Sequence, residues 1–498
     1  MKIVLFNWAP VYGSFNEGGG VSIYLKNIVD AFSKKGHNIT VISSGFFYNI
    51  LKNDTYVKRT KTINGVKYVD IVNSGVLAPS YLMFQNIERA MKEDKTVKVF
   101  KSILDKLGDI DIVHFQNVEG LPWNVLELKK YFPKAKFILS NHNFHAICQQ
   151  VNLWYQDRSN CTDYNRGEKC YSCNIFVENY IRTFSKRNAS YYLGRDAVKD
   201  DKFILFLFML GTFYLNLNSN WLRKLHFKRL SLEGNIEHSP VAGKFLRRRE
   251  YAVEMINKYC DTIISVSKEV ENILIENGVE QGKSIVSYIG TKHFKNQDIH
   301  GKPLVENRFT LAFLGYTRPD KGFQFIVDAF ENMPSDLYGK LGFLFAGKIT
   351  DPGSISKLEK NRQKFQSLTI IDGYKHNDLK GILEKVDIGI VPPLWHDALP
   401  QVAIEFLCHQ IPIFVSDTGG QKEITVDSSF IFSSGNINSF WEKMRKIVTK
   451  KEMISDFWKL HRNLYTMEQH ADNILDIYQD VAHSDGGFEE PWIDSPCA

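Results

Sequence analysis

The sequence predicts an α/β protein built from two Rossmann-like, doubly wound parallel-sheet domains that face a cleft. Short apolar runs of strand length alternate with helical stretches along most of the chain, the pattern of βαβ units and parallel sheets. The alternation occurs twice, on either side of a polar stretch rich in Gly, Pro and Asn from Thr291 to Asn307. At 498 residues the chain is also too long for a single hydrophobic core. The expected division is a domain over 1–290, a linker over 291–307, a second domain over 308–465, a helix over 466–484 and a disordered tail over 485–498.

Hydrophobic content of 44% and charged content of 24% are ordinary for a soluble globular protein. A net charge of +6 permits attraction to an anionic ligand or membrane surface but does not point to nucleic acid. Lys2 to Trp8 reads as a strand, so no signal peptide is expected. In the cytosol that this implies, the seven cysteines are expected to be thiols or metal ligands.

The first strand is followed by Glu17-Gly18-Gly19-Gly20, then by Val21, Tyr24, Leu25, Ile28 and Phe32 at helical spacing. Glycine lets backbone amides approach an anion, so this turn is a candidate phosphate cradle, with a flexible loop as the alternative. It is not the G-x-G-x-x-G dinucleotide fingerprint. Strands are expected at Asn38–Ser43, Val66–Val72, Ile110–His114 and Lys136–Ser140, with a helix from about Asn86 to Leu107. His142 and Asn143 sit just past the Lys136–Ser140 strand, at the edge where open α/β sheets bind ligands. A histidine satisfied within its loop is the other possibility.

Cys148, Cys161, Cys170 and Cys173 follow as C-x12-C-x8-C-x2-C, a candidate enclosure for a structural zinc, against free thiols or disulfides. A four-Cys site would leave no open position for catalysis. Phe203 to Leu215 is strongly apolar but shorter than the roughly 20 residues of a membrane span. With the basic run after it, the insertion over about 191–244 suits a peripheral membrane contact, a core helix or an acceptor-side insertion. Arg247, Arg248 and Arg249 read as a solvated helix face. Thr262–Ser267 reads as strand and then N-cap, with Glu269 in the first helical turn.

In the second domain Phe309 to Gly315 reads as a buried strand, and Arg318 and Lys321 open the helix after it. Further strands are expected at Gly342–Ala346, Leu368–Asp372, Asp387–Val391, Ile411–Val415 and Phe430–Phe432, and a helix over Trp441–Tyr478. Pro392 and Pro393 end the Asp387–Val391 strand, so Asp397 lies in a loop on the ligand edge. A helix from Pro400 to His409 would aim its free amides at the same crevice, with Glu405 inside it.

The run DALPQVAIEF, holding Asp397 and Glu405, resembles the E-x7-E motif of the retaining, nucleotide-sugar-dependent glycosyltransferase family 4, which has the GT-B fold. Asp397 stands where that family has Glu and so reaches less far, and Pro400 stands where Gly is common. The resemblance implies transfer of a sugar, with retention, from a nucleotide diphosphate donor (a UDP- or GDP-sugar) to a hydroxyl of a saccharide or lipid-linked saccharide. It implies Asp397 and His142 on the donor sugar, Glu405 on the ribose, and Lys321 and Arg318 on the diphosphate. It implies a donor-binding set of Gly18, Gly19, Gly20, Gly315, Leu399, Gly419, Gly420 and Glu423, and no metal for catalysis. A cytoplasmic enzyme of bacterial surface polysaccharide synthesis, peripheral at the inner face of the membrane, would fit. The resemblance also makes 1–290 the acceptor side and 466–484 a helix that crosses back to it. A nucleotide-sugar epimerase of the same fold, or a non-catalytic nucleotide-binding scaffold, stays open, and the missing G-x-G-x-x-G argues against a dehydrogenase.

Overall fold

The structure is a computed structural model that describes residues 1–173, 180–194, 204–211, 241–293, 301, 309–374, 378–460 and 464–483, apart from 14, 16, 59, 85, 205 and 426. The insertion, the linker and the tail expected from the sequence lie largely or wholly outside these residues.

The first sheet contains β1 (Lys2–Phe6), β2 (Asn38–Phe47), β3 (Val66–Val72), β4 (Ile112–Phe115), β5 (Lys136–Asn141), β6 (Thr262–Ser265) and β7 (Ser284–Val286). Their order is β7-β6-β5-β4-β1-β2-β3, and every neighbouring pair is parallel. Two short strands that the sequence did not announce, Tyr56–Val57 and Lys61–Ile63, pair antiparallel with β3. The second sheet contains β8 (Thr310–Leu314), β9 (Gly342–Gly347), β10 (Ser367–Asp372), β11 (Ile388–Val391), β12 (Ile413–Ser416) and β13 (Ile431–Phe432). It runs β10-β9-β8-β11-β12-β13, again wholly parallel. Both sheets therefore grow outward in two directions from a central pair, the doubly wound order.

The apolar runs form these strands because helices cover both faces of a parallel sheet, leaving no polar side. Every residue of β8, β11 and β12 is buried, whereas the edge strand β10 exposes Ser367, Thr369 and Asp372. In β1, Val4 and Phe6 enter one core and Ile3 and Leu5 the other, as a period of two demands. Phe6 packs against Phe100 and Phe115 at 6.0 Å. In the second domain Phe330 lies 4.6 Å from Phe343 and 4.9 Å from Phe365.

Five helices position the cleft: α1 (Gly19–Lys34), α2 (Lys268–Glu276), α3 (Phe323–Glu331), α4 (Gln401–Cys408) and α5 (Met467–His483). The chain crosses between the domains twice, side by side: the Thr291 amide donates to Tyr465 O at 3.0 Å and the Met467 amide to Thr291 O at 3.1 Å. After the second crossing α5 lies on the first domain, where Ala471, Ile474 and Tyr478 join the core of α1, β1 and β2. Lys35 pairs with Asp472 at 2.6 Å.

Several sequence expectations change. The helix expected over Trp441–Tyr478 is three helices, Ile437–Thr449, Glu452–Leu460 and α5, because the chain has to turn before recrossing. The helix near Asn86–Leu107 breaks at Lys92, and Glu93 caps its second part by accepting from the Lys95 and Thr96 amides. Of the arginines at 247–249, Arg247 is exposed as expected, but Arg248 is buried, lies over the Trp123 ring and donates to the His145 and Ala146 carbonyls. Phe206, Leu207 and Leu210 are exposed, and no helix among the described residues is long and apolar enough to cross a membrane.

Gly322 starts α3 with φ of +76°, and a Cβ there would stand 1.9 Å from Pro392 O, so the loops after β8 and β11 touch through it. Gly322→Ala is expected to lose at least about 1–2 kcal/mol. Gly381 lies in the Leu379–Leu383 helix with open space around it, so Gly381→Ala should gain about 0.5–1 kcal/mol. Denaturant unfolding of both variants checks the contrast.

Candidate active site

In a doubly wound sheet the loops leaving the central pair diverge and open a crevice at the strands' C-terminal ends. Here those crevices lie between β1 and β4 and between β8 and β11, and they face one another. In the first, Asn7 after β1 donates to Ala9 O and Ser22 Oγ at 2.9 and 3.0 Å, and Asn117 after β4 donates to Asn7 Oδ1 at 2.7 Å. These bonds fix the Gly18–Gly20 turn at the start of α1. A Cβ on Gly20 would stand 3.4 Å from Gln401 Nε2 of the other domain.

In the second crevice, Lys321 after β8 pairs with Asp397 Oδ2 after β11 at 2.7 Å and sits over the Trp395 ring at 4.9 Å. Asp397 is buried. Arg318 is held by both oxygens of the buried Asp320, at 2.9 and 3.0 Å. The Leu394 amide donates to Asp320 O at 2.9 Å, stitching the two loops together. The Gly419–Gly420 turn presses on the same loop: the Gly420 amide donates to Asp397 O at 2.9 Å. A Cβ on Gly419 would lie 2.6 Å from Asp397 O, and one on Gly420 2.2 Å from Ala398 O. Gly315 donates its amide to Ala346 O at 3.0 Å, and Leu399 is buried.

Pro400 is the N-cap of α4, in extended conformation, so the helix starts one residue later than expected. Glu405 is buried on α4, and burial pushes its carboxyl up to about 7. It lines a cavity between the domains with Ile23, Tyr24 and Asn27 of α1, Thr291 and Met467. The Tyr24 ring lies 4.8 Å from that of His142. His142 donates from Nε2 to Gln116 Oε1, 2.9 Å away, and burial, then the nearby His470, lowers it to about 3. Asn143 is engaged within its own domain, donating to Glu119 Oε1 at 3.3 Å and accepting from the His145 amide at 3.0 Å.

One residue of the expected set stands apart. Glu423 reaches across to the first domain, where its carboxylate accepts from the Lys268 and Glu269 amides at 2.8 and 2.7 Å and from Tyr288 Oη at 2.7 Å. It thus satisfies the free amides at the start of α2. Beside it Glu269 pairs with His396 and Lys422, both at 2.9 Å. The hydrogen bond from His396, with help from Lys422, holds the Glu269 carboxyl down at about 2. His396, Lys422, Gln401 and Tyr24 were not legible as cleft residues in the sequence. Only the acid after Ser267 was legible, and nothing local signals a partner more than a hundred residues away.

The structure gives the zinc expectation no support. Among the described residues no group of three or more His, Cys, Asp or Glu is placed to hold a metal ion, and Cys148, Cys161, Cys170 and Cys173 are free cysteines. The Cys161 and Cys173 thiols point to the Asp163 and Trp154 carbonyls at 3.8 and 3.9 Å. Burial, together with the neighbouring Cys148, raises the pKa of Cys161, Cys170 and Cys173. Their loop leans on the site instead, with Asn160 donating to Leu394 O at 2.8 Å.

Residues 294–463 match the family profile described as Glycosyl transferases group 1. The C-terminal domain belongs to that family. An uncharacterised glycosyltransferase of Methanocaldococcus jannaschii is 24% identical over 217 residues, which is 41% of this chain and 55% of the relative. The chain thus spans about half the length of that relative. The sucrose-phosphate synthase of Thermosynechococcus elongatus superposes with a TM-score of 0.56 at 14% identity, covering 96% of this chain and 98% of that one. The trehalose-6-phosphate protein of E. coli, bound with UDP-2-fluoro glucose, gives 0.54 at 11% identity, covering 97% and 99%. A glycosyltransferase of Rickettsia africae gives 0.53 at 15% identity, covering 97% and 99%. At these identities the likeness establishes the fold, and the glycosyltransferase domain sits in a GT-B architecture.

Two outcomes follow from this geometry. Burial raises the folded-state pKa of Glu405 from 4.5 to about 7, so its charge costs stability that appears as pH rises through that window and is absent below it. Glu405→Gln should be neutral at pH 4 and stabilising by up to about 3 kcal/mol at pH 8, read by thermal unfolding. Glu423→Ala removes the acceptor of three cross-domain donors. It should increase the radius of gyration in X-ray scattering while far-UV circular dichroism stays unchanged.

Proposed function

We propose that the chain moves a sugar, with retention, from a nucleotide diphosphate sugar to an acceptor hydroxyl. The observation that carries this is the pairing of Lys321 with Asp397 at 2.7 Å, at the C-domain crevice that faces the Gly18–Gly20 turn. As the bond between the sugar's anomeric carbon and the phosphate oxygen breaks, negative charge grows on the diphosphate. Lys321 and Arg318, fixed in advance by Asp397 and Asp320, are placed to stabilise it. Asp397 Oδ2 is taken by Lys321, which leaves Oδ1 to accept from a sugar hydroxyl. Glu405 receives the ribose hydroxyls, and the Gly18–Gly20 turn lets the phosphates approach backbone. The new bond forms from the acceptor oxygen to the anomeric carbon on the face the diphosphate leaves, and the acceptor proton passes to a phosphate oxygen. No separate base is then needed.

The UDP-2-fluoro glucose bound by the E. coli neighbour makes UDP-glucose the first donor to test. Family likeness supports a saccharide or lipid-linked saccharide acceptor of surface polysaccharide synthesis. The exposed Phe206, Leu207 and Leu210 suit an acceptor presented at a membrane.

Thermal stability against UDP-, GDP- and ADP-sugars tests the donor, since a ligand at one hundred times its Kd adds about 2.7 kcal/mol. With the donor so identified, Lys321→Ala should lower kcat by about 100-fold or more, and Glu405→Ala should chiefly raise the donor KM. Unchanged turnover in both variants would remove the catalytic assignment.

A further inference from the structure

His142 is tied to the C-terminal helix by a run of hydrogen bonds. Tyr478 Oη on α5 lies 2.6 Å from His114 Nδ1 on β4, and His114 Nε2 lies 2.7 Å from Ser140 Oγ on β5. Gln116 spans the remaining gap, with Nε2 3.3 Å from His114 Nδ1 and Oε1 2.9 Å from His142 Nε2. Tyr24, whose ring packs on His142, is held by a second residue of α5, with its hydroxyl 2.8 Å from His470 Nε2. The helix that recrosses from the C-terminal domain therefore reaches His142 by two routes.

The polarity of this run follows from its amide. Gln116 Nε2 can only donate and Oε1 can only accept. His114 Nδ1 therefore accepts, from Gln116 and from the Tyr478 hydroxyl, and the His114 proton sits on Nε2 and goes to Ser140. At the other end Gln116 Oε1 requires a proton on His142 Nε2. Burial keeps both rings neutral, with His114 and His142 each lowered to about 3, so a neutral His142 protonated at Nε2 has a bare Nδ1. The ring is half-buried, beside the Tyr24 that lines the interdomain cavity with Glu405.

We propose that Tyr478, His114 and Gln116 are positioning residues that hold His142 in the Nε2–H tautomer, so that Nδ1 presents a hydrogen-bond acceptor to the cleft. That a sugar hydroxyl fills this role rests on the function proposed above, whereas the tautomer does not. An acceptor nitrogen at this point selects for a ligand group that carries a proton, a hydroxyl rather than an ether or a fluorine. It also makes the docking of α5 part of the construction of the donor site. Without the Tyr478 hydroxyl the amide can turn over and the run can reverse, with His114 Nδ1 donating and His142 Nδ1 becoming the donor.

Long-range nitrogen–proton NMR of the full chain labelled with 15N-histidine reads this directly, with the His142 signal assigned by its loss in His142→Gln. In the wild type, protonation at Nε2 is expected. Gln116→Leu should shift the His142 tautomer ratio about tenfold toward Nδ1–H, the effect of one lost hydrogen bond. Tyr478→Phe, which keeps the ring packed on Phe32, should shift it in the same direction by a smaller factor. A structural role alone would lower the unfolding temperature of both variants and leave the ratio as in the wild type, which overturns the proposal. So does an Nδ1-protonated His142 in the wild type. Addition of UDP-glucose to the same sample is read separately: a changed His142 Nδ1 shift joins the tautomer to donor binding. If the tautomer is as expected and no nucleotide sugar stabilises the chain, the positioning stands and the proposed function falls.

Discussion

The reversal of strand order at the middle of each sheet is the constraint on which the other features depend. Right-handed crossovers send successive helices to opposite faces once the order reverses, so the loops after β1 and β4, and after β8 and β11, must part. Each parting leaves backbone amides and short polar side chains with no helix over them. A crevice of that kind cannot be filled from within its own domain. The two domains close on each other's crevices, and the groups left over pair across the gap: Glu423 with the first amides of α2, Glu269 with His396 and Lys422, Gln401 with the Gly18–Gly20 turn.

The same interface drives two carboxylates in opposite directions. Glu269 sits beside a histidine and a lysine and is held down at about 2. Glu405, walled by Ile23, Tyr24 and Met467, is raised to about 7 by burial. Partnering by donors favours the charged form and withdrawal from water disfavours it. Glu269 is thereby committed to holding the domains together. Glu405 carries its charge only at a cost, because its burial removes water.

Behind the cleft, a second polar system is buried where the sheet meets α5. Its histidines, His114, His142 and His470, are held neutral by burial, so none brings a charge into the core. The network is satisfied largely by side-chain partners, and such a network is favourable only when its members fit together. That requirement links α5 to a loop that closes the first domain's sheet.

Much of this was legible in the sequence, and for local reasons. Unbroken apolar runs determined buried parallel strands, since no amphipathic strand could sit between two helical layers. The strand ends, marked by glycine or proline in the second domain, were enough to put His142, Lys321 and Asp397 just past strands on the ligand edge, and Glu405 inside the helix that follows. What pairs with what was decided only in three dimensions. The sequence could not show that Lys321 meets Asp397 across 76 intervening peptide bonds, that Glu423 serves the other domain, or that Arg248 is buried in a core. Nor could it show that Cys161 and Cys173, two of four cysteines spaced like a zinc site, would point their thiols at carbonyls. Strand and helix formation depend on near neighbours and on the period of burial, which a linear string records. Ion pairs, shared protons and metal geometry depend on distances between elements far apart in the chain, and those exist only once the two sheets have closed on each other.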